Sequence, residues 1–456
     1  MYPTHTLKEK FKLLLLILIP ILIYQLANFS AQFIDTVMTG NYSELHLAGV
    51  SIAGSLWSPF FTLMNGIVAA VVPIVGQHLG RKDKEAIPGE VRQFLYIGIV
   101  LSLTLVLFGL VSLRPILGLM NLETQVFDVA ILYLIYMSLG LIPLLMYSVL
   151  RSFLDALGLT RLSMFLMLLV VPLNIFFNYS MIYGKFGFPE MGGPGAGLGT
   201  AVSYWVLFFV AAAVVHLHPK TRDYHIIQFE PPKVRQWGEA FRLGLPIGFA
   251  IFAEVGVFSF VGLLMAKFGS SIIAAHQAAL NFSNLAYAFP MSISSALTII
   301  ISYEVGRRNH KSATQFSLLG IGTSVCIASA TLLFLIFNRN LVASLYGSSP
   351  DFIALTATFL GYSILFQLFD AVAAPIQGTL RGYKDAKIPF ILCLIGFWVI
   401  GMPTGILLDT FTNLGPYSYW IGLIIGLLSN CVFLVARLHT IVKKYTDSAA
   451  VPMNVK

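Results

Sequence analysis

Charge is what this chain has least of. Only 11% of its 456 residues are Asp, Glu, Lys or Arg, while 57% are hydrophobic; an average soluble domain carries about 25% charged residues. Such a chain cannot clothe a water-facing surface of its size, so the sequence predicts an all-α integral membrane protein. Cysteine is equally scarce. Cys326, Cys393 and Cys431 each sit inside an apolar run, and an odd number of such thiols excludes a disulfide framework. Hydrolytic signatures are missing too: there is no H-E-x-x-H and no G-x-S-x-G, and Gly49-Val50-Ser51-Ile52-Ala53 lacks the second glycine, so no enzyme is expected. The glycine run Gly192–Gly199 has no strand before it and reads as close helix packing rather than a phosphate loop. No small-residue cleavage site follows the first apolar run, which is therefore expected to be retained as a span.

What the chain does have is long apolar runs. Reading between charges gives twelve: 13–34, 47–77, 93–113, 129–150, 162–184, 191–217, 243–267, 272–303, 312–338, 352–380, 388–408 and 410–436. Each is long enough for a transmembrane helix, which needs about 20 residues. With both termini placed in the cytoplasm, Arg114, Lys185, Lys267 and Arg339 are the basic residues left outside, and the other 24 of the 28 lie inside. That asymmetry is the positive-inside pattern. It accounts for the net charge of +8 without a nucleic-acid partner.

The chain also repeats itself. Pro20 aligns with Pro246, Ala48 with Ala274, and Gly80-Arg81-Lys82 with Gly306-Arg307-Arg308 at an offset of 226. A second corner, Leu150–Ala156, matches Leu380–Ala386 at an offset of 230. The polar stretch 218–241, with Pro231 and Pro232, separates an N-terminal lobe (1–217) from a C-terminal lobe (242–456). Two six-helix bundles follow, running in the same direction as parallel repeats. Transporters built this way bind cargo at the repeat interface.

Three carboxylates fall inside the spans: Asp35, Glu254 and Asp370. An intramembrane charge costs about 2.5–3.5 kcal/mol on insertion scales and marks a functional site by default. At 1.5 Å per helical residue, Glu254 lies about 18 Å beyond Arg242 and Asp370 about 16 Å before Arg381, matching depths near the midplane. No basic residue is expected at that depth, so a proton or a metal cation must offset the cost of the pair. Oxygen donors suit a hard cation such as Na+. Asp35 lies in the other half and nearer the outside. Asn174 and Asn178, at i and i+4, share a face that suits either a polar lining beside it or hydrogen bonding between helices. Tyr287 offers a ring face to a cation near the pair. His276 reads equally as a satisfied polar residue or a proton relay.

Phe33-Ile34-Asp35-Thr36-Val37-Met38-Thr39-Gly40, Ala274–Ser283, Phe289-Pro290-Met291-Ser292-Ile293 and Leu380-Arg381-Gly382-Tyr383-Lys384-Asp385 together resemble the multidrug and toxic compound extrusion family in its NorM-like branch. The resemblance implies two lobes in a V and export of small organic cations and drugs in exchange for inward Na+ or H+. It implies no cofactor beyond that coupling ion, and a monomer, surrounded by lipid, in the bacterial inner membrane. It carries a coupling-cation role onto Glu254, Asp370 and Tyr287, with Glu254 and Asp370 ligating the metal if the ion is Na+. It carries a proton or cargo role onto Asp35, Asn174, Asn178 and Thr200. Some members have a tyrosine where this chain has Phe366. A lipid-linked saccharide flippase of related build is the alternative, but its phosphates would ask for a basic cavity.

Overall fold

Each apolar run becomes a helix, because a backbone in hydrocarbon must satisfy its own hydrogen bonds. The computed structural model describes residues 4–450. The spans are α1 (Leu7–Tyr42), α2 (Glu44–Gly80), α3 (Ala86–Gly118), α4 (Thr124–Ser138 and Leu141–Ala156), α5 (Thr160–Tyr183) and α6 (Gly193–Leu217). Then follow α7 (Trp237–Met265), α8 (Ser270–Gly306), α9 (His310–Ser344), α10 (Pro350–Gly382), α11 (Lys387–Phe411) and α12 (Tyr417–Ala450). Eleven of these are single helices long and apolar enough to cross a membrane, and α4 makes a twelfth if its two pieces, bent by 48°, form one span. The expected twelfth run began at 410, but residues up to Phe411 complete α11. Gly415, with φ +57, and Pro416 delay the start of α12. Asp409 had marked a boundary in charge that is not one in backbone.

The duplication is visible in the helix ends. Lys82 (φ 63) and Arg308 (φ 59) each close a helix in the left-handed conformation, as do Gly158 (φ 76) and Lys384 (φ 60). Behind each runs the long return bond of a Schellman cap: Asp83 N to His78 O (3.0 Å), Asn309 N to Glu304 O (2.9 Å), Leu159 N to Leu154 O (2.9 Å) and Asp385 N to Leu380 O (2.9 Å). Both pairs of caps are offset by 226. The offset of 230 read from the second corner is therefore corrected: Leu154 corresponds to Leu380, and Asp155 to Arg381. A slip of four residues rotates a helix by only about 40°, so letter matching along one helix cannot detect it, whereas a cap fixes the register. At 226, Asp370 corresponds to Leu144 and Glu254 to Asn28, so the three carboxylates still lie outside the repeated scaffold.

By contact the chain forms two compact units, one of Ile23–Gly248 and one of the residues up to Leu22 together with Phe249 onward. In α1 and α7 alike the division falls two residues after an internal proline, Pro20 and Pro246. In the second unit α11 changes winding: Ile395–Gly401 is π-helical between two α-helical pieces. The wider turn puts Gly396 and Gly401, five apart, on one face. A Cβ on Gly401 would lie 2.9 Å from Gly422 O, and one on Gly396 2.9 Å from Gly426 O, so α11 and α12 meet backbone to backbone.

The stretch after α6 packs with the first unit rather than hanging free. Arg92, Gln93 and Tyr96 share one face of α3. Arg92 donates to Glu230 (2.9 Å) and to His225 O (2.7 Å), and Tyr96 donates to Glu230 O (2.5 Å). Gln93 Oε1 accepts from Lys233 N (2.7 Å) and from Trp237 Nε1 (2.9 Å).

Candidate functional site

In the unit of Ile23–Gly248, α1, α5 and α6 converge on Asp35. Asn178 Nδ2 donates to Asp35 Oδ1 at 2.7 Å and lies 2.5 Å from Asn174 Oδ1. Thr200 Oγ1 accepts from Asn174 at 3.4 Å and from Asn178 at 3.5 Å. Asn174, Asn178 and Thr200 are all buried. The four residues read from the sequence thus form one connected polar cluster, in which an acidic oxygen is held by amide donors.

The glycine run makes this convergence possible. A Cβ on Gly195 would lie 2.6 Å from Met181 O, one on Gly197 2.7 Å from Tyr133 O, and one on Gly199 2.2 Å from Asn178 Oδ1. Alternate residues at the head of α6 therefore receive the backbone of α5 and α4, as the packing reading expected. Two tyrosines that the sequence reading missed, Tyr133 on α4 and Tyr204 on α6, lie within the field of Asp35. Tyr204 follows Thr200 by one turn. That spacing was the available signal.

The second unit brings Glu254 on α7, Tyr287 on α8 and Asp370 on α10 into one another's electrostatic field. Asp370 is 6% exposed. It lines a small pocket with Tyr287, Phe289, Pro290, Thr331 and Gln367. Gln367, one turn before Asp370, was not singled out in the sequence. Among the described residues neither carboxylate accepts a hydrogen bond, in contrast to Asp35. No group of three or more His, Cys, Asp or Glu converges among them either. The pocket thus gathers one carboxylate, a phenol and an amide, with Glu254 acting on it electrostatically rather than lining it; oxygen donors of this kind suit an alkali cation or a proton and are unlike a zinc site.

One expectation changes here. Arg381, in the last turn of α10, is only partly exposed, and its charge acts on Glu254 and Tyr287. Counting residues along a helix placed it at the span end, but its long side chain carries the guanidinium away from its Cα. The carboxylate pair is thus not without a cationic neighbour. Its counterpart in charge, Arg151, stacks over the Tyr24 ring at 5.1 Å in the other unit. Phe366, where a hydroxyl is missing, is 6% exposed and packs edge-on against Phe258 at 5.4 Å. It serves the apolar packing behind the pair.

His276 is fully buried, and its Nδ1 accepts from Trp420 Nε1 at 3.0 Å. With Phe359 packed edge-on against the ring, it ties α8 to α12. Its Nε2 is buried without a hydrogen-bond partner among the described residues, so the ring is tied at one nitrogen only.

The MatE family model matches residues 20–180 and again 246–407, two segments that start 226 residues apart and begin on Pro20 and Pro246. A probable multidrug resistance protein NorM of Streptococcus pneumoniae is 53% identical over 98% of this chain and 99% of its own length. Its namesake in Halalkalibacterium halodurans is 45% identical over 100% and 99%. Among solved structures, the eukaryotic MATE transporter AtDTX14 is 22% identical and superposes with a TM-score of 0.84 over 97% of this chain and 99% of its own.

Proposed function

This chain belongs to the MatE family, and from that premise we propose that it exports amphipathic organic cations by alternating access, driven by inward Na+ or H+. Its NorM-named relatives are named for multidrug resistance, which supports the class of cargo. The observation that carries the reading is the contrast between the two carboxylate sites. Among the described residues no donor reaches Glu254 or Asp370, which act on each other electrostatically, whereas Asp35 is held by Asn178. A buried carboxylate pair with no donors is stabilised by binding a cation. A carboxylate already held by amides is pre-positioned to exchange a proton or a cationic cargo.

The mechanism follows from that division. A coupling cation entering between Glu254 and Asp370 offsets one of the pair's two charges, the Arg381 charge acting on Glu254 offsets part of the other, and the Tyr287 oxygen and ring are available to complete the cation's surroundings. Arg381 opposes a second cation and, when the first leaves, offsets part of the charge on Glu254. Binding shifts the balance between two arrangements only by its difference in affinity for them. Each net charge crossing 100 mV inward supplies about 2.3 kcal/mol; an exported monovalent cation consumes the same amount, so a one-for-one exchange is driven by the concentration gradient of the coupling ion and the potential contributes only when more charge enters than leaves. The 24-to-4 split of basic residues supports an orientation with both termini cytoplasmic, in a bacterial inner membrane.

Ethidium efflux from vesicles tests this, with Na+ and H+ gradients imposed separately. Efflux that follows at least one of the two gradients is expected. Efflux indifferent to both, in membranes that contain the protein, would remove the coupling assignment.

A further inference from the structure

An apolar groove opens between α2, α3 and α4 in the unit of Ile23–Gly248. Its walls include Leu56, Trp57 and Phe60 of α2, Leu105 and Gly109 of α3, and Ile135 of α4. Behind it lies a packed cluster of Ala53, Leu117, Ala130 and Ile131. The groove exists because α3 has no side chain at Gly109, where an added Cβ would meet nothing within 4 Å. Leu107, Leu110 and Val111 beside it are 64%, 74% and 79% exposed. In a chain that spans a membrane, such a face looks onto lipid.

Length and charge identify what lies in it. On α3 the lining runs from Leu105 to Ile116, eleven residues or about 16 Å, close to half of a ~30 Å hydrocarbon core. That is the depth of one leaflet. Arg92 and Arg114 bracket the apolar part of α3, 22 residues or about 33 Å apart, so Arg114 stands at the headgroup level. It also lines the groove, and among the described residues no carboxylate pairs with it. A cationic cargo would be repelled there, whereas a phosphate would not.

We propose that this groove is a binding site for one anionic phospholipid, its acyl chain lying along α3 past Gly109 and its phosphate held by Arg114. The site is separate from both carboxylate sites and takes a ligand of the opposite charge to the proposed cargo.

Trp57 in the groove wall supplies the probe. The full-length protein is reconstituted with brominated phosphatidylglycerol or brominated phosphatidylcholine, and the difference in fluorescence between it and its Trp57→Phe variant isolates Trp57. Phosphatidylglycerol should compete for the site about fivefold better, the factor expected for one basic residue at an anionic surface. Arg114→Gln should abolish that preference and Arg114→Lys should retain most of it. Gly109→Leu places its Cβ in open space and extends the side chain from the groove's wall, and should reduce quenching by both lipids while efflux persists. Equal quenching by the two lipids in the unaltered groove, or a preference that survives Arg114→Gln, would overturn the proposal. So would Gly109→Leu leaving Trp57 as accessible as before.

Discussion

Gly199→Ala is the smallest change that should disconnect the Asp35 cluster. The new methyl would lie 2.2 Å from Asn178 Oδ1, 2.8 Å from Asn178 N and 2.9 Å from Phe177 C. Ordinary contacts of a Cβ begin near 3.4 Å. Two of the three atoms are backbone, so rotating the Asn178 side chain cannot relieve the overlap, and α6 must move from α5 by roughly half an ångström. The amide oxygen must move by more than 1 Å. Asn178 Nδ2 now lies 2.7 Å from Asp35; a shift of that size carries it past the 3.5 Å at which a hydrogen bond is lost. Overpacking of this kind costs about 1–3 kcal/mol of stability, and losing a hydrogen bond to a charged group about 1.5–3 kcal/mol at the site. Efflux of ethidium should fall about tenfold or more, with a lowered melting temperature for the detergent-purified protein. Gly109→Ala is the control. It adds the same methyl on a helix, into open space, and should leave melting unchanged or raise it. If Gly199→Ala transported and melted like the parent, the close approach of α5 and α6 would not be what holds the cluster.

Three further outcomes follow. Glu254→Gln or Asp370→Asn should abolish the response of transport to the ion gradient while the protein still folds, and Asp35→Asn should weaken cargo binding with coupling-cation binding intact; equilibrium binding of radioactive Na+ and of a fluorescent cation to each purified variant decides, and the reversed pattern would refute the division of labour. Cysteine introduced at Asn41 should react with an impermeant maleimide in intact cells and one at His225 should not, whereas labelling at 225 alone would invert the orientation. Lys233 and Arg92, donating to Glu230, hold its pKa below the ordinary 4.5. A lowered folded pKa means that the attachment of the 218–236 stretch to α3 is fully present above 4.5 and is lost only as pH falls through the lower, folded value. Limited proteolysis of that stretch should therefore stay slow at pH 5 and accelerate only as the pH falls well below 4.5, and Glu230→Gln should be cut readily at neutral pH; a variant as resistant as its parent would show the clamp to be idle.

The sequence by itself determined the spans, the duplication and the carboxylates. Hydrocarbon tolerates neither unpaired backbone nor scattered charge, so apolar runs and the rare acids among them are legible one residue at a time. It also put Asn174 and Asn178 on one helical face, but only the folded chain brought that face and Thr200 to Asp35. Only the tertiary structure decided the register of the second repeat corner. A four-residue slip barely changes a helix face, and the left-handed caps at Gly158 and Lys384 are backbone features that letters do not carry. Tertiary structure alone also decided the neighbours of Glu254: Arg381, counted out at the helix end, reaches its field through the length of its side chain. The same holds for the π-turn that sets Gly396 and Gly401 against α12 and for the open groove at Gly109. Both depend on what the facing helix presents, and the sequence of one helix does not contain the surface of another.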